Sequence, residues 1–304
     1  MEYYKSFEEI FGVARKAKKG VRVAVASPEE PFVLEALMQA YRENIIDPYL
    51  VGDEGKIRAI LEKLEGEIPS DRIIHTDDMN NTPHIAVDLV KEKKADYLMK
   101  GICDTSTLMK AVLDKSSGLN IGRSISHINI LNIPTYKKLL GLSDTAIILH
   151  PDLAQKKVIV QNSVDALCAL GYDKPKVAAV TAVEKVNPKM QETVDAEALK
   201  QMSISGELVN CVVDGPISMD IAFNEDAAHI KGYTSEVANN ADILLVPEMA
   251  GGNILAKAIS IFTKAQSAAI ALGARIPIVL TSRGASIRNK YASIVVASEM
   301  VRFD

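Results

Sequence analysis

The stretch VRVAVASPEEPFVLEALMQAYRENI, residues 21–45, decides the fold. Its opening VRVAVAS (21–27) is a near-continuous Val/Ala run, the pattern of a strand covered by helices on both faces. Pro28, Glu29 and Glu30 then open a helix whose Val33, Leu34, Leu37, Met38, Tyr41 and Ile45 fall on one stripe. The same alternation spreads along the chain. Further strands are expected at YLVG (49–52), RIIHT (72–76), DYLMK (96–100), SISHINIL (124–131), TAIIL (145–149), KVAAVTA (176–182), LVNCVV (208–213), DILLVP (242–247) and IPIVLT (276–281). Helices fill most of the gaps; the longest, 153–170, stops at Gly171. This is an α/β chain with parallel-rich sheets flanked by helices. Pro134 and the hydrophobic stretch after it interrupt the alternation, placing a domain boundary between about 134 and 150.

The composition suits two such domains. The 304 residues are 48% hydrophobic and 24% charged, which excludes a disordered or collagenous chain. Lys+Arg 35 against Asp+Glu 39 leaves a net charge of −4, so no general basic field is offered to nucleic acid or to an anionic membrane. No apolar run reaches the roughly 18 residues of a membrane span, and residues 1–20 lack the apolar core of a signal peptide. Cys103, Cys168 and Cys211 form no CxxC pair, and the five histidines show no HExxH spacing. A cytoplasmic protein with reduced thiols and no metal is expected.

In open α/β sheets ligands sit beyond the carboxyl ends of strands, so polar residues directly after a strand carry most weight. Four clusters qualify. In Leu280-Thr281-Ser282-Arg283-Gly284-Ala285-Ser286 a strand ends and the last helix begins with Ser286 as its cap; this is either an anion site or a capped helix beside a surface arginine. Asp214-Gly215-Pro216 follows a strand; turn statistics favour a Gly-Pro turn capped by Ser218, while the strand-end position of Asp214 points to a ligand. Pro247 to Lys257 runs strand, glycines, helix: Gly251 and Gly252 permit close backbone approach, while Asn253 either caps the helix or meets a ligand, with Lys257 on its first turns. Lys100, Thr105, Lys110 and Arg123 gather cations and hydroxyls, or belong to a solvated helix face. No GxSxG elbow or triad context accompanies them, which favours direct transfer between two bound substrates over a covalent intermediate.

Taken in order, VNPKMQETVDAEAL (186–199), VDGPISMDIA (213–222), VPEMAGGNILAKAI (246–259) and LTSRGAS (280–286) resemble the phosphate acetyl/butyryltransferases, as do LMKG (98–101) with Thr105 and residues 142–167. The resemblance covers nearly the whole chain and is nearest the butyryl branch. It implies an architecture like that of the isocitrate and isopropylmalate dehydrogenases, with an active-site cleft between two domains, and a homodimer. Its last helix returns to the first domain, giving 1–138 plus 284–304 and 139–283. The implied reaction is reversible: acyl-CoA and inorganic phosphate give acyl phosphate and CoA, with CoA as substrate and no tightly bound cofactor. Arg283 would hold the phosphoryl or carbonyl oxygens with its planar fork and Ser282 would donate beside it. Asp214 is the third catalytic expectation; Thr105, Lys110, Arg123, Gly252, Asn253, Lys257 and Ser286 are the substrate-binding ones.

Two positions depart from the acetyl branch of the resemblance; one is Lys110, where that branch has an arginine. The acetyl branch carries an aspartate seven residues after the serine of its SR motif, and here that position is Asn289. Either Asp214 assists the CoA thiol, or the thiolate forms without a dedicated base. This favours butyryl or branched-chain substrates, with phosphate acetyltransferase as the alternative. A non-catalytic CoA or acyl-CoA binder is a further alternative, and a metal- and NAD-dependent dehydrogenase relative ranks lower, since no dinucleotide fingerprint is present.

Overall fold

The computed structural model describes residues 3–17 and 20–302; the outermost ends of the expected first domain, 1–2 and 303–304, lie outside the described residues. The chain forms two compact units. The first holds Phe7–Arg123 and the segment from Ser267 onward; the second holds the segment up to Ser6 and Ser124–Gln266. The sequence had placed these divisions at 138/139 and 283/284.

The first unit begins with α1 (Phe7–Ala14), β1 (Val21–Ala26), α2 (Pro31–Arg42), β2 (Ile46–Gly52), α3 (Glu54–Lys63), β3 (Ile73–His75), α4 (Thr82–Lys91), β4 (Tyr97–Lys100) and α5 (Thr105–Leu113). The second supplies β5 (Ser126–Asn132), β6 (Leu140–Ser143), α6 (Leu153–Cys168), β7 (Lys176–Val180), α7 (Gln191–Ser205), β8 (Val212–Ile217), α8 (Met219–Phe223), α9 (Glu225–Ile230), β9 (Ile243–Leu245) and α10 (Met249–Thr263). The chain then returns to the first unit through β10 (Gln266–Leu272), β11 (Ile278–Val279) and α11 (Ile287–Arg302).

In the first unit the strand order is β3-β2-β1-β4-β11-β10, parallel throughout except where β11 meets β10. Val23 pairs with Tyr97 and Leu98 with Ile278, so the carboxyl ends of β1, β4 and β11 fall at one edge. Glu30 caps α2 by accepting from the amides of Phe32 and Val33, and Val33, Leu34, Leu37 and Met38 are buried as the stripe predicts. α11 is buried along most of its length; the Tyr97 hydroxyl sits 3.3 Å from the Ile294 carbonyl and 3.1 Å from Ser298 Oγ.

In the second unit the order is β5-β6-β9-β7-β8, parallel except for β5 with β6. Leu131, Leu142, Ala178, Ile217, Ile221 and Leu244 are among its core. α6 starts at a reciprocal cap in which the Asp152 carboxylate accepts from the Gln155 amide and the Gln155 side chain accepts from the Asp152 amide.

Three local expectations are corrected. TAIIL (145–149) is not a strand: the Asp144 carboxylate accepts from the amides of Ala146, Ile147 and Ile148 at 2.8, 3.0 and 3.3 Å and curls that run into a turn. The strand of 208–213 lies later, at Val212–Ile217, so Asp214-Gly215-Pro216 is inside β8 rather than after it. QSAAIAL (266–272), without a strand signal in its alanines, forms β10 by pairing with β11.

Candidate active site

Within the first unit, the turns after β1, β4 and β11 converge. Gly101 lies against the turn after β1, accepting no side chain: an added Cβ would stand 1.8 Å from the Ser27 carbonyl oxygen. The Gly101 and Ile102 amides donate to the carbonyls of Ala26 and Ser27, both at 2.8 Å. Ser27 holds a left-handed φ of 54°, and its hydroxyl meets that of Thr82 at 2.6 Å. This seam fixes where β4 releases the chain toward Asp104 and Thr105.

The turn after β11 carries Ser282 and Arg283 on the surface, and the Ser286 hydroxyl accepts from the Asn289 amide at 3.2 Å, confirming it as the cap of α11. Arg283 Nη2 lies 3.5 Å from Asp104 Oδ1, with both side chains about three-quarters exposed. Asp104 precedes α5 but makes no side-chain cap, leaving its carboxylate to face Arg283. Thr105, half-buried, opens α5.

Behind this surface lie two buried lysines. Lys100 Nζ donates to the carbonyls of Gly101 at 2.9 Å and Cys103 at 3.1 Å. Lys290 Nζ donates to the Ser282 carbonyl at 3.2 Å, with Glu30 Oε2 4.0 Å away. Burial holds both ammonium groups below the ordinary lysine pKa; Arg283 adds to the effect on Lys100, and Lys100 adds to the effect on Lys290. Burial raises the Cys103 thiol pKa, which disfavours the thiolate.

The remaining first-unit expectations lie less centrally. Lys110 is exposed in the last turn of α5, about 140° around the helix from Thr105, so the two do not share a face. Arg123 is exposed, where the unit's first segment ends. Asn289 is engaged: its Oδ1 accepts from the Ser267 amide at 3.1 Å.

In the second unit, Gly252, Asn253 and Lys257 sit on α10. The helix starts at Met249 after Glu248, so Gly251 and Gly252 are helical and Asn253 is not its cap. A Cβ on Gly252 would stand 2.6 Å from the Asp144 carbonyl oxygen, so glycine lets α10 approach the turn after β6. Asn253 Nδ2 donates to the Thr145 carbonyl at 3.0 Å, and the Thr145 hydroxyl meets His127 Nδ1 at 2.8 Å and Asn129 Nδ2 at 2.9 Å. Lys257 follows Asn253 by one turn on the same face and is exposed. Asp214, 4% exposed, is bound to Lys200 Nζ at 2.9 Å, and this hydrogen bond raises the Lys200 pKa. Ser218 precedes α8 without capping it; its hydroxyl lies within hydrogen-bond distance of the carboxylates of Glu184 and Asp220 and shares its one proton between them.

A family model described as phosphate acetyl/butaryl transferase matches residues 71–298. The phosphate butyryltransferase of Clostridium acetobutylicum is 41% identical over 294 residues, 97% of each chain. This chain belongs to the phosphate acetyl/butyryltransferase family. As a member it is an acyltransferase, and its resemblance read from the four strand-end clusters is confirmed along the chain. The phosphate acetyltransferase of Thermotoga maritima is 38% identical over 92% of this chain and 95% of its own. The crystal structure of a branched-chain phosphotransacylase from Enterococcus faecalis superposes with a TM-score of 0.79 at 29% identity, covering 92% of this chain and 99% of that one.

For this phosphate acetyl/butyryltransferase family member, the structure adds residues that the strand-end reading passed over. Lys290 was visible in principle, since it heads the i, i+4, i+7 stripe continued by Ile294 and Ala297 that buries α11. Glu30 and Asp144 gave no such signal, because a cap and a turn-forming carboxylate look alike in sequence. Among the described residues no group of three or more His, Cys, Asp or Glu is arranged to hold a metal ion, and no helix is long and apolar enough to cross a membrane.

Proposed function

We propose that this protein transfers a short-chain acyl group, butyryl or branched-chain, between CoA and inorganic phosphate by direct reaction of the two bound substrates. The observation that carries this reading is Arg283: an exposed guanidinium in the turn before α11, backed by the buried ammonium groups of Lys100 and Lys290. An anion there meets a planar fork, the Ser282 and Ser286 hydroxyls and the amino-terminal end of a 16-residue helix.

In the acyl phosphate-forming direction, a phosphate oxygen held by Arg283 attacks the thioester carbonyl. The new C–O bond forms, the carbonyl oxygen gathers charge that Ser282 and Arg283 stabilise, and the C–S bond breaks to release CoA thiolate, which takes its proton from solvent. Asp214 is already committed to Lys200 and Asn289 to the Ser267 amide, so this scheme uses no dedicated base for the thiol. Thr105, Lys110, Arg123, Gly252, Asn253 and Lys257 are assigned to substrate binding, and no tightly bound cofactor enters.

A cytoplasmic homodimer completes the proposal. Ile254, Ile261 and Phe262 on α10 are 69%, 71% and 84% exposed, and a second copy of the chain would cover them. Phosphate acetyltransferase is the second reading, favoured by the Thermotoga maritima relative. The test is kcat/KM for acetyl-, butyryl- and isovaleryl-CoA with phosphate. Preference for the four- and five-carbon chains is expected; preference for acetyl-CoA selects the second reading. Folded protein that binds CoA in calorimetry but turns over none of the three is a binder, and the proposal fails.

A further inference from the structure

Elsewhere in this chain a buried lysine lies directly on a carboxylate: Lys138 meets Asp242 at 2.6 Å and Lys156 meets Asp195 at 2.6 Å. That is the ordinary condition for burying an ammonium group. Lys290 and Lys100, 2% and 6% exposed, do not follow it. The Lys290 ammonium stands 4.0 Å from Glu30 and donates to the Ser282 carbonyl, while Lys100 donates to two carbonyls of its own turn. Carbonyls satisfy the hydrogen bonds without supplying a full negative charge.

Each lysine grips one turn. Lys290 reaches from the end of the first turn of α11 back to Ser282, the residue before Arg283; Lys100 ties the 101–103 turn that delivers Asp104 and Thr105. The charges do not balance. Among the described residues, Lys100, Lys290 and Arg283 interact with the carboxylates of Glu30 and Asp104, three positive groups against two negative, and one of those negatives lies on the surface. The lowered proton affinity of both lysines fits cations that repel one another in a poorly solvated place.

We propose that Lys290, supported by Lys100, is a positioning residue for the anionic substrate: its ammonium group pins the Ser282 carbonyl so that Arg283 is presented outward, and the phosphate dianion supplies the missing negative charge. This rests on the reading of Arg283 as the phosphate-binding arginine. Ser282 O also accepts from the Ala285 amide at 3.1 Å, and Glu30 keeps its amide partners on α2, so neither is stranded when the lysine is removed.

The experiment uses the full chain with Lys290→Met, which keeps the length and removes the charge, and Lys290→Gln, which keeps a hydrogen-bond donor. For Lys290→Met, KM for inorganic phosphate should rise at least tenfold while KM for butyryl-CoA stays within twofold. The melting temperature should hold or rise, because an incompletely paired buried charge has been taken out. Lys290→Gln, which still donates to Ser282 O but carries no charge, should show the same raised phosphate KM. An unchanged phosphate KM, equal rises in both KM values, or a Lys290→Met protein that melts lower or does not fold would make Lys290 a packing residue and overturn the proposal. If the wild-type protein turns over no acyl-CoA with phosphate, the proposed function has failed separately. Calorimetry with inorganic phosphate then decides the positioning role: binding tenfold tighter to wild type than to Lys290→Met supports it, and equal binding overturns it.

Discussion

Replacing Arg283 by alanine should separate function from stability more cleanly than any other single change in this chain. The guanidinium is 77% exposed and its closest charged partner, Asp104 at 3.5 Å, is 74% exposed. Such a pair contributes about 0–1 kcal/mol, and the substitution leaves no buried group without a partner. For a protein of this size that is a melting-temperature change of about 2 °C or less. The catalytic effect should be much larger. A side chain donating to charge that develops in the transition state is worth about 2.7–4 kcal/mol, or a 10²–10³-fold loss of kcat. The assay is phosphate-dependent release of free CoA thiol from butyryl-CoA, read beside a thermal melt of the same preparation. Asp104→Asn is the informative companion, since it removes the carboxylate that competes with an incoming anion for Arg283; phosphate KM should fall or stay level. An Arg283→Ala protein that keeps more than a tenth of wild-type kcat/KM, or whose loss tracks a collapse in melting temperature, would refute the assignment of Arg283 to the reacting oxygens.

Three further predictions concern the scaffold. Lys156→Met leaves Asp195 buried with its ion-pair partner gone and the Gln191 amide beside it, so unfolding in urea should show a loss of about 3–5 kcal/mol, much of which Lys156→Met combined with Asp195→Leu should restore. Gly101→Ala places a Cβ 1.8 Å from a backbone oxygen that cannot move without dragging β1; a loss of about 3 kcal/mol or more is expected, and a melting temperature equal to wild type would mean the two turns are not in contact. The Asp220 pKa is lowered to about 2, by the Ser218 hydroxyl first and Lys231 next, from 3.8 when unfolded. Its contribution is therefore complete above pH 3.8 and lost as pH falls toward 2, so Asp220→Asn should flatten the acid-unfolding curve across that window; an unaltered curve would contradict the pairing.

Much of the architecture was legible because strand and helix signals are local. VRVAVAS became β1 and the stripe after it became α2, while Gly171 at φ 87° ends the turn after α6. Errors arose where one distant or polar contact outweighed an apolar run. TAIIL has the composition of a strand, yet the single carboxylate of Asp144 bends it, and the alanines of QSAAIAL pair only because β11 lies beside them. The SRGAS turn and its cap were readable from residues 282–286, because capping spans four residues. The state of Asp214 was not: its ion pair depends on Lys200, fourteen positions earlier on α7.

The sequence by itself determined the α/β alternation, the family, and the place of Ser282 and Arg283 at a strand-to-helix turn, since the first and last rest on side chains within a few positions of one another and the family on short segments read in order along the chain. Only the tertiary structure decided the electrical surroundings of that turn. Glu30, Lys100 and Lys290 lie at the cap of α2, on β4 and on α11, far apart in the chain; Lys290 meets Glu30 and Lys100, and Lys100 meets Arg283, because parallel pairing of β1, β4 and β11 ends three strands at one edge. Burial, which sets how strongly those charges are felt, is a property of the packed unit and is written in no local pattern.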